Sequence, residues 1–180
     1  AGTMGQMMEP VTMGNYQPKT VEKPWAVTGT KLARPHNIVN SLYLNPEELE
    51  RTNFERYARY VVIEQKEAMY ESFLMEDAEI CVTAFGIASR VSRSAVLAAR
   101  AEGIKVGLLR PITLWPFPSE EIHRLAKGKK GVLTVEINAG QMVFDVRAAV
   151  AGEAPVGHYG RLGGIVPSPD EIIEALKNQF

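Results

Sequence analysis

A chain of 180 residues, 46% hydrophobic and 23% charged, is long enough for one domain with a proper core plus an appendage, and folding at this size buries roughly 70% of the unfolded surface. A formal net charge of −1 leaves no basic footprint for nucleic acid, and no apolar run reaches the roughly 18 to 20 residues that cross a bilayer. The single cysteine, Cys81, excludes an internal disulfide and cannot supply the thiolate set of an iron–sulfur cluster, and the opening residues lack the basic and apolar parts of a secretory leader, so the cytoplasm is the expected compartment.

Pro10, Pro18, Pro24, Pro35 and Pro46 punctuate the first quarter, where neither a helical nor a strand period develops. Residues 1–44 therefore read as an extended arm. Their apolar, Met-rich start, Gly5-Gln6-Met7-Met8-Glu9-Pro10-Val11, suits the end of a preceding domain better than a free terminus. A helix starts at Asn45, which can cap it, with Pro46 at the first helical position and Glu47, Glu48 and Glu50 where the helix dipole favours acids. The spacing predicts that this helix runs to about residue 75. Phe54, Tyr57, Val61 and Ala68 form its apolar stripe, and the acids alongside read as a solvated face.

After Asp77 the pattern becomes strand then helix, repeated, which is the signature of a parallel sheet covered on both faces. Strands are predicted at 79–84, 105–109, 131–136 and 156–159, and helices at 91–101, 119–126, 141–150 and 169–178. The expected fold over residues 45–180 is α/β, a three-layer sandwich with an open, mainly parallel sheet, preceded by the extended arm and the long helix. In such sheets functional groups collect at the carboxyl ends of the strands.

Each of those loops offers candidates. In Phe85-Gly86-Ile87-Ala88-Ser89-Arg90, Gly86 permits a tight exit and Ser89 or Ser92 can cap the following helix, a plain turn that also offers N–H groups to an anion. The segment 108–118, Leu-Leu-Arg-Pro-Ile-Thr-Leu-Trp-Pro-Phe-Pro, places Arg110 at a strand end and carries three prolines within eight residues. Those prolines fix φ and stiffen a loop that presents Trp115 and Phe117. At least one of these rings is expected to face a partner rather than the core. Beyond the third strand, Glu136, Asn138 and Gln141 gather polar atoms. Asn138 reads as the helix cap, and the alternative is that Glu136 and Gln141 bridge to a neighbouring subunit. The glycines of Gly157-His158-Tyr159-Gly160-Arg161-Leu162-Gly163-Gly164 make a flexible turn or, with Arg161, a phosphate nest.

The constellations of a self-sufficient enzyme are missing. His36, His123 and His158 are scattered without metal-ligand spacing, and there is neither a nucleophile elbow nor a Walker loop. Cys81 lies inside an apolar strand and reads as core. Lys127-Gly128-Lys129-Lys130 reads as a solvated turn.

Four stretches carry a family resemblance: 5–11, 109–118, 135–142 and 160–172. They resemble the alpha chains of 2-oxoacid:ferredoxin oxidoreductases, in the domain that looks like the transketolase C-terminal domain. The resemblance implies that residues 1–44 hold the end of an upstream thiamine-pyrimidine domain followed by the linker. It also implies a complex that oxidatively decarboxylates a 2-oxoacid to acyl-coenzyme A in anaerobic metabolism, with ferredoxin as electron acceptor. The form of the 5–11 string leans toward the 2-oxoisovalerate or 2-oxoglutarate type. Thiamine diphosphate, magnesium, iron–sulfur clusters and coenzyme A would belong to the complete complex and none of them to this chain. The expected partners are the thiamine diphosphate-binding beta chain, the gamma chain and the ferredoxin-like delta chain. No residue is assigned to catalysis; Gly86, Ser89, Arg90, Arg110, Trp115, Phe117, Glu136, Asn138, Gln141 and Arg161 are candidate interface residues, with Arg90 favoured for an inter-domain ion pair. Two other readings stay open: the C-terminal domain of a different thiamine enzyme, such as a 2-oxoacid dehydrogenase beta chain or a transketolase, and a non-catalytic phosphate- or nucleotide-binding module.

Overall fold

In a computed structural model of the chain, residue 10 and residues 12–27, 29, 31, 33–38 and 40–180 are described. Apart from Pro10, the Met-rich string at 5–11 lies outside the described residues. Among the described residues before Pro46, none is in a helix or a strand.

Helix α1 spans Pro46–Glu67 and starts as its sequence dictates: Asn45 Oδ1 accepts the backbone N–H groups of Glu47 (2.9 Å) and Glu48 (3.2 Å). It ends short of the expected residue 75. Ala68 turns to extended backbone, and Tyr70–Phe73 form strand β1 instead. The cause is a non-local ladder, since these four residues pair antiparallel with Leu108–Pro111. Propensity favoured continuing the helix; pairing with a buried strand overrode it.

The remaining elements alternate: β2 (Ile80–Thr83), α2 (Gly86–Ala101), β3 (Val106–Pro111), α3 (Ser119–Ala126), β4 (Gly131–Glu136), α4 (Met142–Val150), β5 (Val156–Gly160) and α5 (Pro169–Gln179). The observed fold is the predicted mainly parallel α/β sandwich, with five strands rather than four in the order β1-β3-β2-β4-β5. Strands β2 to β5 run parallel and β1 is the antiparallel edge. Helix α2 begins at Gly86, five residues before the expected 91, because Gly86 takes φ +56° and turns the chain directly out of β2.

Strand parity divides the core into two layers. Ile80, Val82, Val106, Leu108, Leu133 and Val135 point to α2 and α5, whereas Cys81, Leu109 and Val132 point to α3 and α4. Burial on both faces explains why β2 and β4 are apolar nearly throughout. Arg100, near the end of α2, holds the β1–β2 connection. Its Nε donates to the Val106 carbonyl (2.7 Å), its Nη2 donates to the Leu74 carbonyl (2.7 Å), and it pairs with Asp77 (2.6 Å).

Candidate functional site

Because β2 to β5 are parallel, their carboxyl ends lie along one edge of the sheet, where the start of β1 joins them through the Tyr70↔Pro111 register. Strand order reverses between β2 and β4. The loops after β2, β3, β4 and β5 that the sequence singled out therefore lie on this edge.

Glu136 organises its centre. It is the last residue of β4, only 1% exposed, and its carboxylate accepts the backbone N–H groups of Gln141 (3.2 Å), Met142 (2.8 Å) and Val143 (3.1 Å). A buried anion is thus placed on the first turn of α4, where free N–H groups and the helix dipole both favour it. Sequence reading gave the cap to Asn138, but that assignment is corrected. Asn138 instead accepts from the Gly140 N–H (2.7 Å) and donates to Glu136 Oε1 (3.2 Å), folding the loop under the carboxylate. Both Glu136 oxygens accept bonds within the chain. Gln141 is exposed, and its side chain makes no cap bond.

His158 completes this centre, and nothing in the one-dimensional pattern marked it. Its register partner is Thr134 on β4, and its Nε2 sits 3.4 Å from Glu136 Oε2 while making no hydrogen bond. On β4, Thr134 and Glu136 share a face, and Thr134 Oγ1 also meets Thr83 Oγ1 at 3.1 Å across β2 and β4. Gly160 is required beside them, because a Cβ there would overlap the Asn138 carbonyl.

The glycine-rich turn does not offer its arginine to a phosphate. Arg161 pairs with Glu171 (2.9 Å), while Gly163 and Gly164 adopt positive φ in an exposed turn. The Ser168 N–H, and after it Arg161, hold the Glu171 carboxyl below its ordinary range. Ser168 and Glu171 also form the reciprocal cap that starts α5.

Neither serine near the start of α2 caps it, which corrects that expectation. Ser89 is buried inside the helix and donates to the Gly86 carbonyl (2.7 Å); Ser92 is buried as well. Phe85 stands at the cap position without a side-chain bond. A cleft of ≈ 580 Å³ opens there, lined by Gly86, Ser89, Arg90, Arg110 and Leu114 among others. Arg110 pairs with Glu71 of β1 (2.9 Å), and Glu71 also meets Arg93 (3.4 Å). Arg90 is exposed.

The proline-rich loop separates its two rings. Phe117 packs inward against the layer containing Ile122, Ala126 and Val146. Trp115 stays 56% exposed and stands edge-on to Tyr60 of α1, with centroids 5.4 Å apart. Thr113, unnoticed in the sequence, pins this loop: its hydroxyl accepts from the Met69 N–H (2.9 Å) and donates to the Pro116 carbonyl (2.8 Å).

No group of three His, Cys, Asp or Glu side chains able to hold a metal exists among the described residues. The Cys81 thiol is 3% exposed, and burial pushes its pKa up to about 12. A lone thiol kept protonated in a strand does not fit an iron–sulfur cluster. No described helix is long and apolar enough to cross a membrane.

The fold is an α/β sandwich also found in a split-gene transketolase, which superposes with a TM-score of 0.52 at 20% identity, covering 61% of this chain and 41% of that one. The family model for the pyruvate:ferredoxin oxidoreductase core domain II matches residues 78–172, and the chain belongs to that family. It is 44% identical over 178 residues to the ketoisovalerate oxidoreductase subunit VorB of Methanothermobacter thermautotrophicus, covering 97% of this chain and 49% of the relative. The 2-oxoglutarate synthase subunit KorA of Methanothermobacter marburgensis is 39% identical over 101 residues, 56% of this chain and 27% of the relative. Among solved structures, the 2-oxoglutarate:ferredoxin oxidoreductase from Magnetococcus marinus, with 2-oxoglutarate, coenzyme A and succinyl-CoA bound, matches with a TM-score of 0.70 at 25% identity, covering 86% of this chain and 28% of that one. The chain spans about half the length of the ketoisovalerate oxidoreductase subunits it matches.

Proposed function

We propose that residues 45–180 are the assembly domain of the alpha subunit of a 2-oxoacid:ferredoxin oxidoreductase that converts 2-oxoisovalerate or 2-oxoglutarate to its acyl-coenzyme A. The observation that carries this reading is the 44% identity to a ketoisovalerate oxidoreductase subunit along 97% of the chain. The related Magnetococcus oxidoreductase, with coenzyme A and succinyl-CoA bound, supports that chemistry.

Thiamine diphosphate supplies the decarboxylation chemistry in such a complex, and with magnesium and the iron–sulfur clusters it belongs to other polypeptides or other segments. What these residues contribute is shape. Glu136 and Asn138 lock the β4–α4 loop, Thr113 locks the 112–118 loop, and the exposed groups Gln141 and Trp115 are thereby held ready for the beta, gamma and delta chains. A rigid surface loses less entropy when a partner docks.

The test is reconstitution. The chain is expected to co-elute with the remaining oxidoreductase subunits on size exclusion and to show no thermal shift with thiamine diphosphate when alone. Micromolar binding of that cofactor by the chain itself, about −8 kcal/mol, overturns the assembly reading, and so does failure to associate with any of the subunits. Turnover of the reconstituted complex with each of the two oxoacids separates the substrate types.

A further inference from the structure

Helix α1 is an unusual part of this chain, since none of its 22 residues is buried. Helices in water draw their stability from packing an apolar face rather than from propensity, and this one has such a face. Leu49, Asn53, Tyr57 and Val61 lie four residues apart and form a single ridge, flanked by Phe54 and Tyr60. Phe54 is 67% exposed, Tyr57 65% and Val61 51%. Tyr60 touches Tyr57 on one side and Trp115 on the other, with centroids 5.9 Å and 5.4 Å away, so the ridge continues without a break onto the proline-rich loop. Beyond Trp115 it opens into a groove of ≈ 920 Å³ between the end of α1 and the start of α3.

Together these side chains present on the order of 600 Å² of mostly apolar surface, at the upper end of the largest patch a monomer ordinarily exposes and near one side of a standard interface. The charges along the ridge tell what covers it. Glu50 borders its first half, Glu64 its second, and Glu120 the groove. Among the described residues these three form no ion pair, while the nearby cation Arg124 is already held by two bonds to Glu121 (2.6 and 2.8 Å). Arg56, on the flank, donates to Asn53 Oδ1 at 3.3 Å.

That pattern argues against a second copy. An antiparallel pairing of two α1 helices about Tyr57 sets Glu50 against Glu64 twice, and a parallel one sets each glutamate against itself. Like charges facing across a closing interface disfavour it. We propose that the α1–Trp115 surface is a docking site for an amphipathic helix of another polypeptide, with an apolar face bordered by lysine or arginine. Grooves between helical ridges accept helices, whose anchors recur at the same three-to-four spacing. The proposal rests on the assembly reading only in taking a different polypeptide as the occupant.

The probe is a pair of about 20-residue helical peptides, one built of leucine and lysine, the other of leucine and glutamate. In the 180-residue chain carrying Trp25→Phe, Trp115 is the single tryptophan and reports on its own surroundings. The cationic peptide is expected to bind at least about tenfold more tightly than the acidic one and to shift Trp115 emission, with affinity falling as salt rises. Glu50→Lys with Glu64→Lys and Glu120→Lys should reverse that preference, and Tyr57→Glu with Val61→Glu should abolish binding in a protein whose circular dichroism and denaturant midpoint are unchanged. Equal affinity for the two peptides, no binding of either, or a Trp115 shift that follows protein concentration and dimer formation in sedimentation overturns the proposal. None of these readouts needs the oxidoreductase subunits, so failure here and failure of the assembly reading are told apart.

Discussion

Removing the Glu136 carboxylate is the sharpest perturbation of the sheet edge. Glu136→Ala leaves the N–H groups of Gln141, Met142 and Val143 at the start of α4 without their acceptor, in a place sealed from water. It also frees the Asn138 amide that folds the loop. A hydrogen bond to a charged group contributes about 1.5–3 kcal/mol, and these bonds share two oxygens, so they do not add in full. The expected loss is about 3–5 kcal/mol, a large part of the 5–15 kcal/mol typical of a whole domain. Glu136→Gln keeps one acceptor oxygen in place and should cost less, about 1–2 kcal/mol. Gln141→Ala is the control: it stands at the formal cap position without a side-chain bond and should stay within about 0.5 kcal/mol of wild type. Urea or guanidinium unfolding with an unchanged m-value reads all three. A loss below about 1 kcal/mol for Glu136→Ala refutes the reasoning, because the three N–H groups would then have another acceptor.

Phe117→Ala should cost about 2–3 kcal/mol of folding stability, less than a fully buried ring, whereas Trp115→Ala should cost under about 1 kcal/mol and instead weaken association with the other subunits; equal folding losses for the two would place both rings in the core. Cys81, with its thiol pushed up to about 12, should resist thiol reagents until the protein unfolds, so rapid stoichiometric labelling of native protein would mean that β2 is not covered on both faces. Asp77 is held below its ordinary 3.8 mainly by the bond from Arg100, and Glu79 below its ordinary 4.5 mainly by Lys130 and Lys105. Both carboxyls bind protons more readily when unfolded, so their stabilisation is present above those ordinary values and is lost as pH falls below them and through the lowered folded values; the denaturant midpoint should drop from pH 6 toward pH 3, and Arg100→Ala together with Lys130→Ala should flatten that dependence.

Local chemistry determined a good part of this protein. The helix Ser119–Ala126 and the strand Gly131–Glu136 fall where the sequence placed them, because a doubly covered strand is largely apolar and the proline-rich loop ends where the helix begins. Asn45 followed by Pro46 marked the start of α1 through bonds that reach only two or three residues ahead. Residues whose partners lie far along the chain were not legible. Tyr70–Phe73 became a strand because Leu108–Pro111 offers it a ladder about forty residues away, a gain that no helical or strand period can register. Glu136, His158 and Gly160 were each visible as letters at strand ends, yet only the parallel register of β4 and β5 set the histidine 3.4 Å from the carboxylate and brought the Asn138 carbonyl and the His158 ring too close to Gly160 for a Cβ. Phe117 and Trp115 carry the same signal of large rings among prolines; which one faces inward was decided by where α1 and α3 lie around the loop, and that placement exists only in three dimensions.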